Sequence, residues 1–266
     1  MTNPLTKIFL QPNFKTGHII TWEIDPTFAE PSPWTFTLEV SETPTFSEVF
    51  YSVSDTDVCW LVDKSGKKQN WDYAWYHRVV LTTADNEKFV SPTIMLGGNK
   101  MMKHQYATAA ETIRKDLLMM TRYTGQKVWL LKRKIYADKV VALVDPVSGV
   151  PLADSTKEYG TGLKDGYHAP IPFIVQNMET NNTKKLNAEG NGIDEYQIKR
   201  LRMVGFPFVS PRDIIVFPEL DARYIVQGES KYTVFPGTNV VIVQSHTCGL
   251  LPNTDTSYQI SIPSTR

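Results

Sequence analysis

Apolar and polar positions alternate along the first hundred residues with the period of two that is typical of antiparallel β-strands. Phe36, Leu38 and Val40, for example, alternate with polar residues. Runs rich in β-branched and aromatic residues recur every 10–15 residues or so, separated by Pro, Ser, Asp, Asn or Gly. They are HIITWEID, TFTLEVS, EVFYSVS, VCWLVD, YHRVVLTT and KFVSPTIML. Six or seven such strands predict a β-sandwich of immunoglobulin or fibronectin type.

A helical period follows this β region. Tyr106, Ala110, Ile113, Leu117 and Met120 recur at spacings of four and three residues, which predicts one amphipathic helix near residues 105–124. A single helix between two β regions has to bury its apolar stripe on its own chain or on a neighbouring subunit. Ile113, Leu117 and Met120 are therefore our candidates for a subunit interface.

Strand patterns return from residue 126 and are interrupted by one polar segment. Residues 177–192, NMETNNTKKLNAEGNG, contain almost no large apolar side chain, and we expect a long extended loop there. The runs ARYIVQ, NVVIVQS and SYQISI beyond it are typical of strands.

Composition and charge narrow the function classes. The 28 basic side chains balance the 28 acidic ones, which argues against a polybasic nucleic-acid binder. Residues 101–140 alone carry nine basic and three acidic side chains, a pattern that suits contact with a polyanion or an acidic partner. No apolar run is long enough for a membrane span, and no secretory signal is visible. We expect a soluble protein that is made inside the cell, without a membrane partner.

The first hundred residues resemble a fibronectin type III domain. The resemblance rests on Trp22 in an early strand, the entry PSPWTF, the segment WLVD at 60–63 and the strand WYHRV at 75–79. In such domains these aromatic residues belong to the core, so Trp22, Trp60 and Tyr76 are expected to pack inside rather than to form a carbohydrate platform.

From residue 105 onwards the order of segments resembles head–tail neck proteins of tailed bacteriophages. A basic helix runs into GQKVWLLKRK, followed by DPVSG, YGTG and GY. Further on, DIIV, RYIV and a closing DTSY resemble the small β-barrel of head-closure proteins, also called stoppers or adaptors. The resemblance implies a small barrel at residues 126–266.

Many of those relatives carry a zinc ribbon, with two CxxC pairs around the Asp-Pro turn. The corresponding positions here are Val140, Leu143, Ser155 and Glu158, and none is a cysteine. Tetrahedral zinc needs thiolate or imidazole ligands in close spacing. The histidines show no HExxH, HxH or HxxxH grouping either. We therefore expect no metal and no cofactor.

These observations together predict a mostly β protein in three parts. Residues 1–98 would form the fibronectin type III-like β-sandwich, and residues 99–125 a hinge and linking α-helix, beginning near Gly97-Gly98. Residues 126–266 would form the head-closure-like β-barrel, with an inserted hairpin at 137–168 and the long loop.

Catalysis finds little support in the sequence. Cys59 and His77 offer a nucleophile and a base, but both fall in predicted strands, where packing is the more common role. The protein is therefore expected not to be an enzyme.

The resemblance implies a structural protein that is made in the host cytoplasm and located in the neck of the virion. It would form a ring of six or twelve copies between a portal or adaptor protein and a tail-terminator or tail protein. Non-specific contact with channel DNA would use exposed cations. The candidates for a DNA or partner contact are Lys132, Arg133, Lys134, Lys184 and Lys185, and the run Lys199, Arg200 and Arg202 is a further basic cluster. Two alternatives stay open: a baseplate or fibre-attachment protein, and a host-glycan-binding module.

Overall fold

The strands predicted for the first hundred residues form two antiparallel sheets. In chain order they are β1 (Leu5–Asn13), β2 (Gly17–Ile24), β3 (Thr35–Ser41), β4 (Tyr51–Thr56), β5 (Trp60–Asp63), β6 (Tyr76–Thr82), β7 (Lys88–Val90) and β8 (Ile94–Met95). One sheet has the order β1-β2-β5 and the other β4-β3-β6-β7, with β8 also paired to β6. In a constant-type immunoglobulin domain the fourth strand extends the sheet of the first two strands. Here β4 pairs with β3 and extends the other sheet.

The core of the sandwich comes from the alternation seen in the sequence. Phe36, Leu38 and Val40 on β3 are buried. Trp22 of the first sheet lies 5.0 Å from the Phe36 ring of the second, measured between ring centroids. Burying one such side chain stabilises the fold by about 1.5–3 kcal/mol. The predicted β-sandwich is confirmed. Trp22 is a core residue as expected, whereas Trp60 and Tyr76 are half-buried and lie outside the buried core.

These coordinates come from a computed structural model, which describes residues 3–13, 17–25, 27–28, 30, 33–65, 75–95, 103–135, 159–163, 165–186, 193–236 and 240–263. The chain divides into two compact units. The first unit, which contains the sandwich, comprises Met1–Arg114, Lys134–Val141 and Val234–Val241. The second comprises Lys115–Arg133, Ala142–Thr233 and Ile242–Arg266. The three-part division expected from the sequence stays a prediction, because Gly97-Gly98 lies outside the described residues.

One helix precedes the second β region, as predicted. α1 (Lys103–Met119) continues into a π-helical turn, Met120–Thr124, which ends where Gly125 turns extended and its N–H bonds to the Met120 carbonyl. A Cβ atom at Gly125 would lie within 2.6 Å of that carbonyl oxygen, so only glycine fits this exit from the helix. No helix in the described part of the chain has the length and hydropathy needed to cross a membrane.

Six strands close into a barrel in the second part of the chain. They are β9 (Gly125–Leu131), β10 (Ile171–Leu186), β11 (Ile193–Val204), β12 (Ile214–Phe217), β13 (Ala222–Val234) and β14 (Val241–Leu250), in the order β10-β11-β14-β13-β12-β9. Leu130 and Ile215, which are register partners, are fully buried. Their neighbours Leu131 and Ile214 belong to a second apolar cluster that also includes residues 251, 260 and 262 of the C-terminal segment. Adjacent positions on these strands therefore pack on opposite faces of the sheet, in two separate apolar regions.

The prediction of a long loop at residues 177–192 is wrong for residues 177–186, which belong to β10. β10 and β11 are paired from Gln176 opposite Arg202 to Leu186 opposite Ile193, with one shift of register between Asn177 and Glu179. Within the described residues, β10 pairs with β9 only up to Gln176, and β11 pairs with β14 only from Ile198 onward. Residues 177–186 and 193–197 thus form a two-stranded ribbon that continues past the barrel pairing. We call this segment the β10–β11 ribbon. The β10–β11 ribbon was not predictable from the apolar pattern, because hydrogen bonding between backbones does not require an apolar face.

Candidate functional site

The predicted interface stripe on α1 is largely covered within the chain. Ile113 and Met120 are buried, and Leu117 is half-buried. Ile113 and Met120 therefore offer little free surface, because the helix buries its most regular apolar face on its own chain. Their role in a subunit interface stays a prediction.

A different set of apolar residues on the same helix end faces solvent. Leu118, Met119 and Tyr123 are exposed, and Tyr123 is 79% accessible. The π-helical turn shifts the helical register by one residue, with Met120 buried and Tyr123 exposed within it. We call Leu118, Met119 and Tyr123 the Tyr123 surface.

Lys132, predicted as a DNA or partner contact, belongs to an internal polar network. Its Nζ donates to the Phe208 carbonyl (3.1 Å) and the Ser210 hydroxyl (3.1 Å), and lies 3.3 Å from Asp213 Oδ2. Asp213 also accepts from the backbone N–H groups of Arg133 (2.9 Å) and Ser210 (2.8 Å). Burial raises the pKa of Asp213, and the Lys132 ammonium group opposes that shift. The lysine thus stabilises a buried carboxylate.

The remaining predicted cations lie in different environments and are not shown to form one basic surface. The guanidinium of Arg133 donates to the Thr161 carbonyl at 3.4 Å, and Lys134 is buried. Lys184 and Lys185 stand opposite Glu195 and Asp194 in the β10–β11 ribbon. Their side chains lie outside what is described, so their contact with DNA or a partner stays a prediction.

The second basic run is also partly internal. Lys199 is buried, with Nζ 4.5 Å and 4.4 Å from the ring centroids of Phe217 and Tyr224. Arg202 donates to Asp116 on α1 at 2.8 Å. Arg200 is exposed. Lys199 and Arg202 therefore take part in packing and in fixing the helix end to β11.

A buried amide network anchors the segment that follows β11. The Gln244 side chain donates to the carbonyls of Val204 (3.0 Å) and Pro207, and accepts from the Val209 N–H (3.2 Å). His246 Nε2 lies 3.0 Å from the same amide oxygen. Burial and, second, the charge of Lys132 lower the pKa of His246 to about 4. Neutral His246 therefore completes the network at pH 7.

The described residues bring three possible ligand side chains together in the sandwich. His18 on β2 is the register partner of Asp63 on β5, and His77 lies on β6 of the facing sheet. Asp63 Oδ2 is 3.2 Å from His77 Nε2 and 3.6 Å from His18 Nδ1. One ligand atom from each residue lies within 4.8 Å of the others. We call these residues the His–Asp–His cluster.

The His–Asp–His cluster is buried, and its carboxylate is firmly oriented. Asp63 is buried, His77 is fully buried and the His18 side chain is 12% exposed. Asp63 Oδ1 accepts from the Ser65 N–H at 2.8 Å, so Oδ2 faces the imidazoles. Burial raises the pKa of Asp63, but the close imidazoles of His18 and His77 and the hydrogen bond from Ser65 outweigh it and hold the pKa well below its usual range. Burial lowers the pKa of His77.

Sequence reasoning missed the His–Asp–His cluster because its members are 45 and 14 positions apart. Short-range motifs such as HxH depend on local spacing, whereas these ligands meet through strand register and sheet packing. The alternation of β2 and β6 places His18 and His77 on strands, but only the pairing of β2 with β5 adds Asp63.

The hypothesis of a Cys59–His77 pair receives no support. His77 Nε2 is directed at Asp63, and Cys59 is a buried thiol. The other cysteine, Cys248, is also buried, which raises its pKa to about 12. Neither cysteine forms a disulfide.

The positions that correspond to the zinc ribbon, Val140, Leu143, Ser155 and Glu158, lie outside the described residues. Of the predicted hairpin at 137–168, residues 159–163 and 165–168 are described. They include a turn with Gly160 and Gly162 at φ values of 74° and 72° and an isolated bridge from Tyr167 to Arg133. The absence of zinc from this hairpin stays a prediction.

Comparison with known proteins adds no family to these observations. A scan against protein-family models finds no match for the chain, and a search of curated proteins finds none either.

Proposed function

We propose that the protein is a structural component of a tailed-bacteriophage virion, located in the neck. Copies arranged as a ring would join the portal at the head to the tail around the DNA channel. The observation that supports this most is the closed six-stranded barrel from which the β10–β11 ribbon continues. The barrel agrees with the one implied by the resemblance to head-closure proteins, and the ribbon is an element suited to contacts between copies.

The ribbon supplies a means of association by backbone pairing. A closed barrel has no sheet edges, whereas a two-stranded ribbon has one on each side. Within the described residues, 177–186 and 193–197 pair only with each other. Isolated two-stranded ribbons are marginally stable in water. Addition of a strand from a neighbouring copy would order the ribbon and link adjacent subunits.

The Tyr123 surface supplies an apolar contact for the same assembly. Tyrosine is enriched at the centres of protein interfaces, where one buried ring contributes strongly to affinity. An aromatic ring that is 79% exposed and flanked by Leu118 and Met119 is a surface of this kind. In the proposed ring this surface packs against the next copy.

DNA contact is a secondary part of the proposal. Lys132 and Lys199 serve internal interactions, which leaves the ribbon lysines Lys184 and Lys185 as the candidates. They are opposed by Glu195 and Asp194 in the ladder. Any contact with channel DNA would therefore be weak and strongly salt-dependent.

The glycan-binding alternative has less support. It requires a strip of exposed aromatic rings on the sandwich, yet Trp22 is buried and Trp60 and Tyr76 are half-buried. Among the large aromatic side chains described in the sandwich, Phe50 is exposed, and it lies 5.4 Å from the Trp75 ring. One such residue does not make a platform for a sugar ring.

Particle fractionation tests the proposal directly. Heads and tails purified separately from infected cells would be probed for this chain, and whole virions examined by cryo-electron microscopy. We expect the chain at the head vertex that joins the tail, as a ring on the channel axis. Density at the baseplate or on the fibres would support the baseplate alternative, and absence from virions would refute both positions.

A further inference from the structure

We propose that His18, Asp63 and His77 bind one divalent transition-metal ion, which fastens the two sheets of the sandwich to each other. The inference is independent of the virion role and goes beyond it. His18 and Asp63 lie on β2 and β5 of one sheet, and His77 lies on β6 of the other. An ion held by all three would connect strands that are otherwise joined only by side-chain packing and hydrogen bonds.

The spacing of the ligand atoms fits a first-row metal. Tetrahedral bonds of about 2.0–2.1 Å to nitrogen and oxygen place ligand atoms about 3.3 Å apart. Asp63 Oδ2 is 3.2 Å from His77 Nε2 and 3.6 Å from His18 Nδ1. A shift of a few tenths of an ångström therefore suffices for the two pairs that involve Asp63. The ligand atoms of His18 and His77 lie within 4.8 Å of each other, so an ion would draw these two imidazoles together by up to about 1.5 Å.

The surroundings orient the ligands as the second shell of a metal site does. Ligating carboxylates and imidazoles are typically held by hydrogen bonds from their other atoms. The Ser65 N–H fixes Asp63 Oδ1, which leaves Oδ2 for the imidazoles. The other nitrogen of the His77 ring, Nδ1, is buried and has no hydrogen-bond partner among the described residues, so Nε2 is the nitrogen that faces Asp63.

The donor set defines the class of ion. Two imidazole nitrogens and one carboxylate oxygen suit Zn²⁺ and neighbouring divalent transition metals, and Ca²⁺ and Mg²⁺ prefer all-oxygen sites. Three protein ligands leave a further coordination position for water or an external ligand. The partial exposure of His18 gives an ion a route from solvent.

The location explains what the ion would contribute. Immunoglobulin domains join their two sheets by a disulfide between the second and sixth strands of the fold. Cys59 is the one cysteine among residues 1–98, so this sandwich has no such bond. His18 on β2 and His77 on β6 would provide the equivalent cross-link through a metal. A ligand that binds only the native state raises the melting temperature.

Zinc titration of the full chain tests the inference. Protein freed of metal with a chelator would be titrated with ZnCl₂ in a calorimeter, and its melting temperature measured with and without zinc. We expect about one ion per chain and an increase in melting temperature. His18→Gln should weaken binding by about 100-fold or more, because it removes a direct ligand, whose loss costs at least as much as that of a second-shell partner.

His246→Gln is the matched control, since His246 is a buried histidine in the other unit with no carboxylate partner among the described contacts. It should bind zinc as the unmodified chain does. A folded His18→Gln chain that binds zinc with unchanged affinity would place the ion elsewhere and overturn the proposal. So would an unmodified chain that binds no zinc, which would leave a metal-free hydrogen-bonded cluster.

If His18→Gln does not fold, cobalt substitution of the unmodified chain tests whether the metal site exists. The unmodified chain loaded with one equivalent of Co²⁺ would show the intense visible absorption of a four-coordinate site with imidazole ligands, and zinc would displace it. A spectrum of hexa-aqua Co²⁺ would overturn the proposal without any variant.

Discussion

The guanidinium group of Arg223 lies over the ring of Tyr258, 5.0 Å from its centroid. It donates to the carbonyls of Ser257 and, at 2.8 Å, Ile260. The backbone N–H of Arg223 donates to the Tyr258 hydroxyl at 3.1 Å. Arg223 of the motif RYIV and Tyr258 of the motif DTSY are 35 positions apart and contact each other directly. This contact fixes the C-terminal segment to β13.

The first prediction concerns this contact. Arg223→Met should lower the free energy of unfolding of the barrel unit by about 2–3 kcal/mol, because hydrogen bonds from a charged donor to buried carbonyls are lost. Tyr258→Phe removes only the hydroxyl and should cost about 1 kcal/mol. Urea unfolding of the full chain, followed by tryptophan fluorescence, measures both changes.

Arg200→Met is the control for Arg223→Met. Arg200 is exposed on β11, and substitutions at such sites usually change stability by about 0.5 kcal/mol or less. Equal effects of the two arginine substitutions would show that the C-terminal segment does not depend on the Arg223 contact.

The second prediction concerns the buried ion pair of Lys132 and Asp213. Lys132→Met should destabilise the barrel unit by about 3–5 kcal/mol, because it leaves the buried Asp213 carboxylate without its counter-charge. Adding Asp213→Asn to this variant should recover part of the loss, since the second change removes that charge. Lys127→Met, at an exposed position of the same part of the chain, is the control. Chemical unfolding of the unmodified chain, of the single variants Lys132→Met and Asp213→Asn and of the double variant gives the coupling energy.

A role of Lys132 as a surface contact for DNA predicts a different result for the same variant. Lys132→Met would then leave stability unchanged and weaken the salt-dependent binding of DNA instead. Electrophoretic mobility shifts at two salt concentrations, run beside the unfolding series, separate the two roles.

The third prediction is a pH dependence. The pKa of His246 is about 4 in the folded chain and about 6.5 when unfolded. Between these values the unfolded state binds a proton that the native state does not, so stability falls as pH decreases from 6.5 to 4. The full loss is about 3 kcal/mol. His246→Gln should remove this part of the pH dependence, measured as the difference between urea unfolding curves of the two proteins from pH 7 to 4.5.

The structural reason lies at the ring nitrogens. Nε2 donates to Gln244, and the buried Nδ1 has no hydrogen-bond partner, so protonation would add an N–H there with no acceptor. Identical pH profiles for the two proteins would mean that His246 titrates normally in the folded state.

Strands with a clear apolar face were predictable from the sequence. Phe36, Leu38 and Val40 are buried as their alternation indicates, and the helix follows the period of its apolar stripe. The barrel was also predictable, through the resemblance of the order of segments after residue 105 to head-closure proteins. In these regions local pattern and tertiary burial agree, so periodicity suffices.

Other features depended on contacts that the sequence does not display. The polar residues 177–186 form a strand because β11 supplies a backbone ladder. Lys132 appeared to be a surface cation until the fold placed Asp213 beside it, 81 positions away. The His–Asp–His cluster needed both the β2–β5 register and the packing of the two sheets. These partners are not indicated by the charge or polarity of neighbouring positions along the chain.

The fourth prediction concerns assembly through the Tyr123 surface. Tyr123→Asp should leave the chain folded, because the side chain is 79% exposed, but should weaken association of copies by about 30-fold or more. A loss of 2 kcal/mol or more is usual when a tyrosine at an interface centre is truncated, and the new charge adds a desolvation cost. Analytical ultracentrifugation of the purified protein and complementation of a phage lacking the gene measure the two effects.

Leu220→Asp is the matched control for Tyr123→Asp, since Leu220 is also an exposed apolar residue of the second unit but lies outside the Tyr123 surface. It should assemble normally. Tyr123 is also a sharper probe than the half-buried Leu117, where an aspartate would disturb folding and association together. In the proposed neck ring each weakened contact would recur at every interface, so on that proposal Tyr123→Asp should give filled heads that fail to join tails. A folded Tyr123→Asp protein that supports normal infectivity would exclude this surface from assembly and leave the β10–β11 ribbon as the element that joins the copies.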